Sequence, residues 1–177
     1  MKAMKKILAL ALVGAMALAL LTGCGTGGSA SHKSIAKAME DYDRGVENNL
    51  NITCASSAEL DAKLQQLAAN TGFETAVKAV YTNNSTALSA IRSAISSSPA
   101  LSGKVVYLYC GKYDKDAGKQ AINLNAHSAC INTYTSHMAP SLAAKRQIGL
   151  ITTSCTDTNG KEVKVRFAVV VSEIPKP

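Results

Sequence analysis

The last third of the chain carries the pattern that most restricts its fold. Ile148, Leu150 and Thr152 alternate with other residues in a first run. A second run alternates apolar with charged residues, and its apolar members are Val163, Val165, Phe167, Val169 and Val171. This period of two is typical of strands with one buried face. Asp157-Thr158-Asn159-Gly160 separates the runs, and Asn-Gly favours a tight hairpin because both residues tolerate positive φ. The sequence therefore predicts an antiparallel hairpin over residues 146–172.

Helical periodicity dominates the region between residues 34 and 98. Apolar residues recur there at steps of three and four, which indicates helices with one buried stripe. The stripes are formed by Ile35, Met39, Tyr42, Val46 and Leu50, by Leu60, Leu64 and Leu67, by Phe73, Val77 and Val80, and by Leu88, Ile91 and Ile95. Ser56 with Glu59 and Thr71 with Glu74 have the spacing of capping boxes at helix starts. We predict four short helices in this region.

β-branched and aromatic residues replace the helical pattern after Gly103. Val105–Cys110 is such a run and predicts a buried strand. Ile122, Leu124 and Ala126 alternate with polar residues and predict a partner strand. Helices followed by strands are typical of the α+β class. We predict about four N-terminal helices packed on a small antiparallel sheet that ends in the C-terminal hairpin.

The first 24 residues are organised as a secretory signal. Lys2, Lys5 and Lys6 precede the apolar run Ile7–Leu21, which is shorter than the roughly 20 residues that a membrane-spanning helix needs. The run ends in Leu21-Thr22-Gly23-Cys24. This end resembles the lipobox of bacterial lipoproteins, a family in which the lipobox cysteine is acylated and becomes the first residue of the mature chain. The resemblance implies a signal peptide over residues 1–23 and lipidation of Cys24.

The same resemblance implies where the protein works. Two acyl chains, palmitate among them, anchor stably where one does not, so we expect membrane lipid to hold Cys24 at the extracytoplasmic face of the cell membrane. Residues 24–33 contain several Gly and Ser residues and predict a lipidated cysteine with a flexible linker. Residues 34–177 are then a single α+β domain. Without the three signal lysines, sixteen basic residues face twelve acidic ones, a modest excess that indicates a solvated surface and no nucleic-acid partner.

Cys54, Cys110, Cys130 and Cys155 remain when Cys24 carries lipid. Four cysteines in an exported domain favour two disulfides, with three possible connectivities. We favour a bridge from Cys54 to the C-terminal half, because it would tie the helices to the sheet. Zinc binding is the alternative, but the chain has no Cys-x-x-Cys pair. We therefore predict neither a metal nor a cofactor.

Histidine and tyrosine residues are the remaining candidates for a site. The chain has neither Gly-x-Ser-x-Gly nor His-Glu-x-x-His, so the usual hydrolase motifs are missing. His127 and Cys130 would share one helical face, although a paired thiol would not react. His127 and His137 could line a polar and aromatic pocket with Tyr107 and Tyr109, but these residue types are also ordinary half-buried residues.

A second resemblance concerns residues 137–172. His137-Met138-Ala139-Pro140, Gln147-Ile148-Gly149-Leu150 and Val165-Arg166-Phe167 resemble the C-terminal part of the CAP (cysteine-rich secretory) superfamily. In that family two histidines and acidic residues line a cleft, so the resemblance implies His137 as a cleft residue. The spacing from Pro140 to Ile148 is longer here, and the acidic partners are missing.

These observations together predict a lipid-anchored extracytoplasmic protein that binds an envelope ligand or protein without evident catalytic machinery. The alternative is a small envelope hydrolase or a CAP-like cleft protein that uses His127 or His137. The two classes differ in geometry, because an enzyme would place both histidines in one pocket with a carboxylate in hydrogen-bond reach.

Overall fold

The computed structural model describes residues 29–70, 72–89, 104–130 and 144–173, with Cys130 and Glu173 described through their backbone alone. These ranges contain five helical segments and five strands. In chain order they are α1 (His32–Glu47), β1 (Thr53–Ser56), α2 (Ala58–Ala68), α3 (Phe73–Tyr81), α4 (residues 85–89), β2 (Lys104–Lys112), α5 (Ala117–Asn125), β3 (Ser128–Cys130), β4 (Lys145–Thr156) and β5 (Glu162–Glu173). The predicted α+β class is confirmed. Among the described residues, no helix combines the length and apolar character that crossing a membrane requires.

The five strands form one mixed sheet in the order β1-β4-β5-β2-β3. Strand β1 runs parallel to β4, and the other neighbouring pairs are antiparallel. The prediction of a purely antiparallel sheet is therefore wrong. The sequence pattern did not indicate β1, because its four residues lie between two helices and are too few for a clear alternation.

Strands β4 and β5 pair antiparallel from Arg146 and Ser172 to Thr156 and Glu162. Their turn is built around Asp157, whose Oδ1 accepts hydrogen bonds of 2.9 Å from the backbone N–H groups of Asn159 and Lys161. Gly160 has a φ of 77°, and its N–H donates to the carbonyl of Asp157 at 3.1 Å. Asn159 does not have positive φ, so the turn is a three-residue loop ending in a left-handed glycine rather than the two-residue type.

Helices cover both faces of the sheet. Helices α2 and α3 share a core with one face, and α1 and α5 share a core with the other. Two glycines allow the close approach. A Cβ on Gly149 would lie 2.4 Å from Cβ of Leu60 on α2, and one on Gly111 would lie 2.2 Å from the carbonyl oxygen of Asn123 on α5. Both distances are too short for any other side chain to fit without displacement.

Residues 117–125 are helical, so the strand predicted around Ile122 and Leu124 is wrong. Asp116 is the N-cap of α5, and its carboxylate accepts a 2.8 Å hydrogen bond from the N–H of Lys119. The buried residues Gln120, Ala121 and Leu124 have helical spacing, whereas Ile122 is 58% exposed. The alternation was therefore accidental, and the cap at Asp116 was the more informative signal.

Three helices begin at residues other than those the sequence indicated. The N-cap of α1 is Ser31, the N-cap of α2 is Ser57 rather than Ser56, and the N-cap of α3 is Gly72 with a φ of 106°. The folded domain therefore begins before the boundary predicted at residue 34, and it already includes Ser29 and Ala30.

Candidate functional site

The cysteines whose side chains are described are free and buried: Cys54, Cys110 and Cys155. Cys54 lies on the α1–α5 face of the sheet, whereas Cys110 and Cys155 lie on the α2–α3 face. The Cys54 side chain therefore points away from the other two, on the opposite face of the sheet. The two predicted disulfides are therefore not formed among these residues. For the fourth candidate, Cys130, the structure describes only the backbone, in β3.

Burial also makes these thiols unreactive. Desolvation raises the pKa of Cys54 to about 12, and burial likewise raises the pKa of Cys110 and of Cys155. A thiol is nucleophilic only as its thiolate, so none of the three is poised for catalysis near neutral pH. The paired geometry considered for His127 and Cys130 on one helical face is not formed either, because residues 128–130 are a strand.

His127 lies immediately before β3, opposite Cys110, whose N–H donates to the His127 carbonyl at 2.9 Å. Side chains directly opposite each other on paired strands lie on the same face of a sheet. The imidazole accordingly packs on the Cys110 face, against the ring of Tyr81 at a centroid distance of 4.9 Å. It is therefore not grouped with Tyr107 and Tyr109.

Tyr107 and Tyr109 stack on each other on the α1–α5 face, with ring centroids 6.1 Å apart. Tyr109 is buried, and burial together with the nearby Asp43 raises the pKa of its phenol. The aromatic pocket predicted from His127, His137, Tyr107 and Tyr109 is thus not assembled from the three members that are described. His137, the fourth member, lies outside the described residues.

The structure instead places His127 in an open pocket of about 310 Å³. Its lining comes from the end of α3, the start of β3 and the β4–β5 turn: Tyr81, Thr82, Asn83, His127, Asp157 and Thr158. Asn83 adopts a left-handed backbone with φ of 52°, a conformation that asparagine tolerates better than most residues. Sequence reasoning missed this pocket because its three segments are far apart along the chain and each reads as an ordinary turn.

Only some of the polar groups that line this pocket form hydrogen bonds with other described residues. Thr82 donates its hydroxyl to the Lys78 carbonyl at 2.8 Å, and Oδ1 of Asp157 is engaged by the turn. The imidazole of His127 and the amide of Asn83 make no hydrogen bond with any described residue, so their donors and acceptors are available to a ligand. Burial raises the pKa of Tyr81, with smaller contributions from Cys155, Cys110 and Asp157, so its hydroxyl stays protonated at neutral pH.

A separate polar cluster is buried at the start of β4. Arg146 is only 4% exposed; its Nη1 contacts Oδ2 of Asp43 at 2.5 Å, and its Nη2 contacts both carboxylate oxygens of Glu47 at 2.8 and 2.9 Å. Burial raises the pKa of Asp43 by more than the arginine lowers it. Burial opposes the charge of Arg146 as well, but Glu47 and Asp43 outweigh it and raise the pKa of the guanidinium.

This cluster joins α1 to the edge of the sheet. Asp43 and Glu47 lie one turn apart on the same side of α1, and Glu40 lies one turn earlier, where its Oε2 accepts a 3.0 Å hydrogen bond from the N–H of Cys54. Arg44 adds a 2.7 Å hydrogen bond from Nε to the carbonyl of Ile52. These contacts hold β1 beside β4, so we assign the cluster a structural role.

The opposite end of the same face holds the first described residues. Arg166 is 3% exposed, and its Nη2 donates to Oγ of Ser29 at 2.8 Å and to the carbonyl of Ala30 at 3.3 Å. The hydroxyl of Tyr113 donates to the same Oγ at 2.9 Å, and the N–H of Ala30 donates to the carbonyl of Lys115 at 2.9 Å. Ser29 and Ala30, which the sequence pattern placed in the flexible linker of residues 24–33, are thus fixed to the domain.

Positive charge accumulates around Tyr113 at this end. Nζ of Lys164 lies 4.2 Å from the centre of the Tyr113 ring, and the guanidinium of Arg166 lies 5.2 Å from it. The hydrogen bond with Ser29, then those charges, lower the pKa of Tyr113. Within the described ranges Arg166 has no carboxylate partner, and its buried Nε makes no hydrogen bond.

The chain matches no protein-family model, no curated protein and no solved structure. Among the described residues, no group of three or more His, Cys, Asp and Glu side chains could hold a metal ion. The CAP resemblance stays a prediction, since His137 is the only residue carried over from that family. The Tyr81–His127 pocket and the attachment of Ser29 are the two features of the described residues that bear on function.

Proposed function

We propose that this chain is a lipid-anchored extracytoplasmic binding protein, held at the membrane through Cys24 and binding an envelope ligand in the Tyr81–His127 pocket. The anchor is supported by Leu21-Thr22-Gly23-Cys24 at the end of the apolar run. It is also supported by the contacts of Ser29, which leave only residues 25–28 between the proposed lipid-bearing residue and the folded domain. A domain attached so closely to its anchor would work at the membrane surface.

The anchor is tested on the full chain, signal included, by Cys24→Ser. We expect the wild-type protein to sediment with membranes and to incorporate a palmitate analogue, and the variant to lose both properties, because the thioether-linked lipid would be gone. Thr26→Ser, two residues away, is the matched control and should behave as wild type. Lipid incorporation that persists in Cys24→Ser would contradict the anchor.

The binding role is carried by one observation: the pocket joins an aromatic pair to polar groups without partners in the described protein. The tilted rings of Tyr81 and His127 offer apolar surface with a polar edge, which suits ligands having one apolar and one hydrated side. Asn83 and His127 supply hydrogen-bond donors and acceptors. A volume of about 310 Å³ fits one small polar unit, and a sugar of an envelope polymer has this chemistry.

Asn83→Gly tests the pocket without disturbing the turn, because glycine adopts positive φ readily. We expect the variant to weaken binding of N-acetylglucosamine oligomers by about tenfold, the loss of one or two good hydrogen bonds, as measured by chemical-shift titration. Asn48→Gly is the matched control, since Asn48 also has positive φ, at the end of α1 away from the pocket. Equal affinities in both variants would contradict this assignment. It would also be contradicted if the ligand changed the chemical shifts of wild-type residues outside the pocket.

The alternative is an envelope hydrolase or CAP-like cleft protein that uses His127, with His137 as its possible second histidine. It is favoured by one observation, the presence of His127 and Asp157 in the same pocket. No described carboxylate makes a hydrogen bond to the His127 imidazole, so an acid–base pair would have to form on ligand binding. Release of soluble products from purified cell-wall fragments, abolished by His127→Gln, would favour this alternative over the binding role.

A further inference from the structure

The short tether restricts which surface of the domain can face the membrane. Five residue steps separate Cys24 from Ser29, and an extended chain spans at most about 3.6 Å per residue, so Ser29 lies within roughly 18 Å of the proposed lipid-bearing residue. Helix α1 starts just after Ser29 and has 16 residues, a length of about 24 Å. The surface around Ser29 therefore stays close to the proposed anchor, and the Arg146 end lies about 24 Å further along α1, so the tether favours the Ser29 surface as the one next to the bilayer.

That surface is basic, and its charges are not neutralised by the protein. Three exposed lysines lie on the segments that hold Ser29, and we call them the anchor-side patch: Lys115, Lys119 and Lys164. None of them forms an ion pair with a described residue. By contrast, Lys37, Arg44 and Lys63 are each paired with a carboxylate elsewhere in the domain.

Two of the three acidic residues near the patch take part in local structure. Oδ1 of Asp114 accepts the N–H of Asp116, and Oδ1 of Asp116 accepts the N–H of Lys119, both at 2.8 Å. The third, Glu162, lies two residues before Lys164 on β5. With Arg166 included, four basic residues surround the attachment point against these three carboxylates. Tyr113 lies among them with an aromatic ring and a polar edge, the residue type enriched at membrane interfaces.

We propose that the anchor-side patch rests on the anionic phospholipid headgroups of the membrane that carries the protein's own lipid anchor. This inference rests on the proposed anchor at Cys24 and deepens it, because it fixes the orientation of the domain as well as its attachment. The anchor supplies proximity, and the lysines act within the distance of about 8–10 Å over which an anionic surface attracts them at physiological salt. The pocket of Tyr81 and His127 lies on the opposite face of the sheet.

The test uses the processed, lipidated protein incorporated into vesicles of neutral phosphatidylcholine, with or without phosphatidylglycerol. Flotation measures anchoring, and acetylation of lysines read by mass spectrometry measures orientation. We expect flotation with both vesicle types. The anchor-side patch should be acetylated about fivefold more slowly on phosphatidylglycerol vesicles only, the effect of one lysine on an anionic surface, and high salt should remove the difference. Lys78, exposed on α3 on the other face, should be acetylated equally throughout.

Each other outcome has a defined meaning. Equal flotation with equal acetylation of the patch on both vesicles overturns this inference and leaves the anchor intact. Absence of flotation with either vesicle contradicts the anchor and, with it, this inference. If a soluble polyphosphate chain protects the patch from acetylation and phosphatidylglycerol does not, the inference is overturned, and an anionic polymer is the ligand of the patch.

A pair of variants provides a second measurement. Lys115→Gln should reduce the protection of Lys119 and Lys164 on phosphatidylglycerol vesicles by about fivefold, since it removes one attractive charge while the contact of Ala30 with Lys115 uses only the Lys115 backbone carbonyl. Lys78→Gln should leave that protection unchanged. Equal effects of the two substitutions would show a dependence on net charge alone and would overturn the assignment to this patch.

Discussion

Two buried arginines on one face of the central sheet have opposite surroundings. Arg146 pairs across the ladder with Ser172, and Arg166 pairs with Thr152; the two sites lie six residues apart along β5, or about 20 Å. Arg146 is bound by the carboxylates of Asp43 and Glu47. Among the described residues, Arg166 is held by the neutral oxygens of Ser29 and Ala30 and by the face of Tyr113.

This difference indicates that the Arg146 end stabilises the fold, whereas the Arg166 end presents positive charge at the surface. At Arg146 the charge is neutralised inside the protein, and the contacts join α1, β1 and β4 into one unit. At Arg166 the positive charge has no described counter-ion, and exposed lysines add to it. A buried ion pair contributes little beyond the hydrophobic residues that could replace it, but removing one partner is costly. The two ends should therefore respond very differently to loss of their arginine.

The largest expected effect is that of Arg146→Met. It leaves the buried Asp43 and the half-buried Glu47 without their counter-ion, and breaking a buried pair in this way costs about 3–5 kcal/mol. Urea unfolding at neutral pH measures this loss. The triple variant that also carries Asp43→Leu and Glu47→Leu should recover most of it, because no uncompensated charge remains. A loss below about 1 kcal/mol in Arg146→Met would show that solvent already screens the cluster.

Arg166→Met should have a smaller effect, since no carboxylate is left unpaired. The substitution removes the hydrogen bonds to Ser29 and Ala30, and neutral acceptors of this kind are worth about 1–2 kcal/mol in total. Hydrogen exchange should show local opening, with the Ala30 N–H exchanging faster while amides of β4 and β5 keep their protection. A loss as large as that of Arg146→Met would mean that both arginines have the same structural role.

The pH dependence should differ between the ends, because only the Arg146 end contains stabilised carboxylates. The hydrogen bond from Lys37, then the N–H of Cys54 and the charge of Arg44, lower the pKa of Glu40 below its ordinary 4.5. A carboxyl whose pKa is lower in the folded than in the unfolded chain stabilises the fold at pH values above the unfolded pKa. This contribution is lost as the pH falls below 4.5 and through the folded pKa.

Glu40→Gln isolates this contribution. We expect the variant to be less stable than wild type by up to about 1 kcal/mol at pH 7, a value reduced by partial solvent screening, and the difference to shrink as the pH falls below 4.5. Asp43 acts in the opposite sense, because burial raises its pKa, so the difference between variant and wild type is the informative quantity. A difference that persists unchanged at pH 3 would contradict the lowered pKa of Glu40.

The comparison also shows which features the sequence could reveal. The α+β class and the approximate positions of α1, β2, β4 and β5 follow from local periodicity, because each buries one face. The turn at Asp157 was recognisable from Asn159 and Gly160, although its type was not. Local sequence patterns do not predict an element whose conformation depends on tertiary contacts. Strand β1 is an example, since its four residues form a strand only because β4 offers an edge.

Neither arginine site could be found in this way. Arg146 and Asp43 are 103 positions apart, and acidic residues on a helix normally indicate a solvated face. The periodicity placed Val46 and Leu50 in the buried stripe of α1. Val46 is 69% exposed because the helix turns its carboxylates towards Arg146, and Leu50 is 81% exposed and lies beyond the end of α1 at Glu47. The pocket of Tyr81 and His127 likewise depends on three segments that meet only in the folded protein.

The smallest expected effect concerns two tyrosines, one near each arginine. At the Arg166 end, the hydrogen bond with Ser29 and the charges of Arg166 and Lys164 lower the pKa of Tyr113, whereas burial and Asp43 raise the pKa of Tyr109 near Arg146. Ultraviolet titration should therefore show one tyrosinate forming below the ordinary value near 10. Tyr113→Phe should remove that step, and Arg166→Met should shift it to higher pH, because a positive charge favours the phenolate. An early step that survives in Tyr113→Phe would show that the uncompensated charge of Arg166 does not act on this ring.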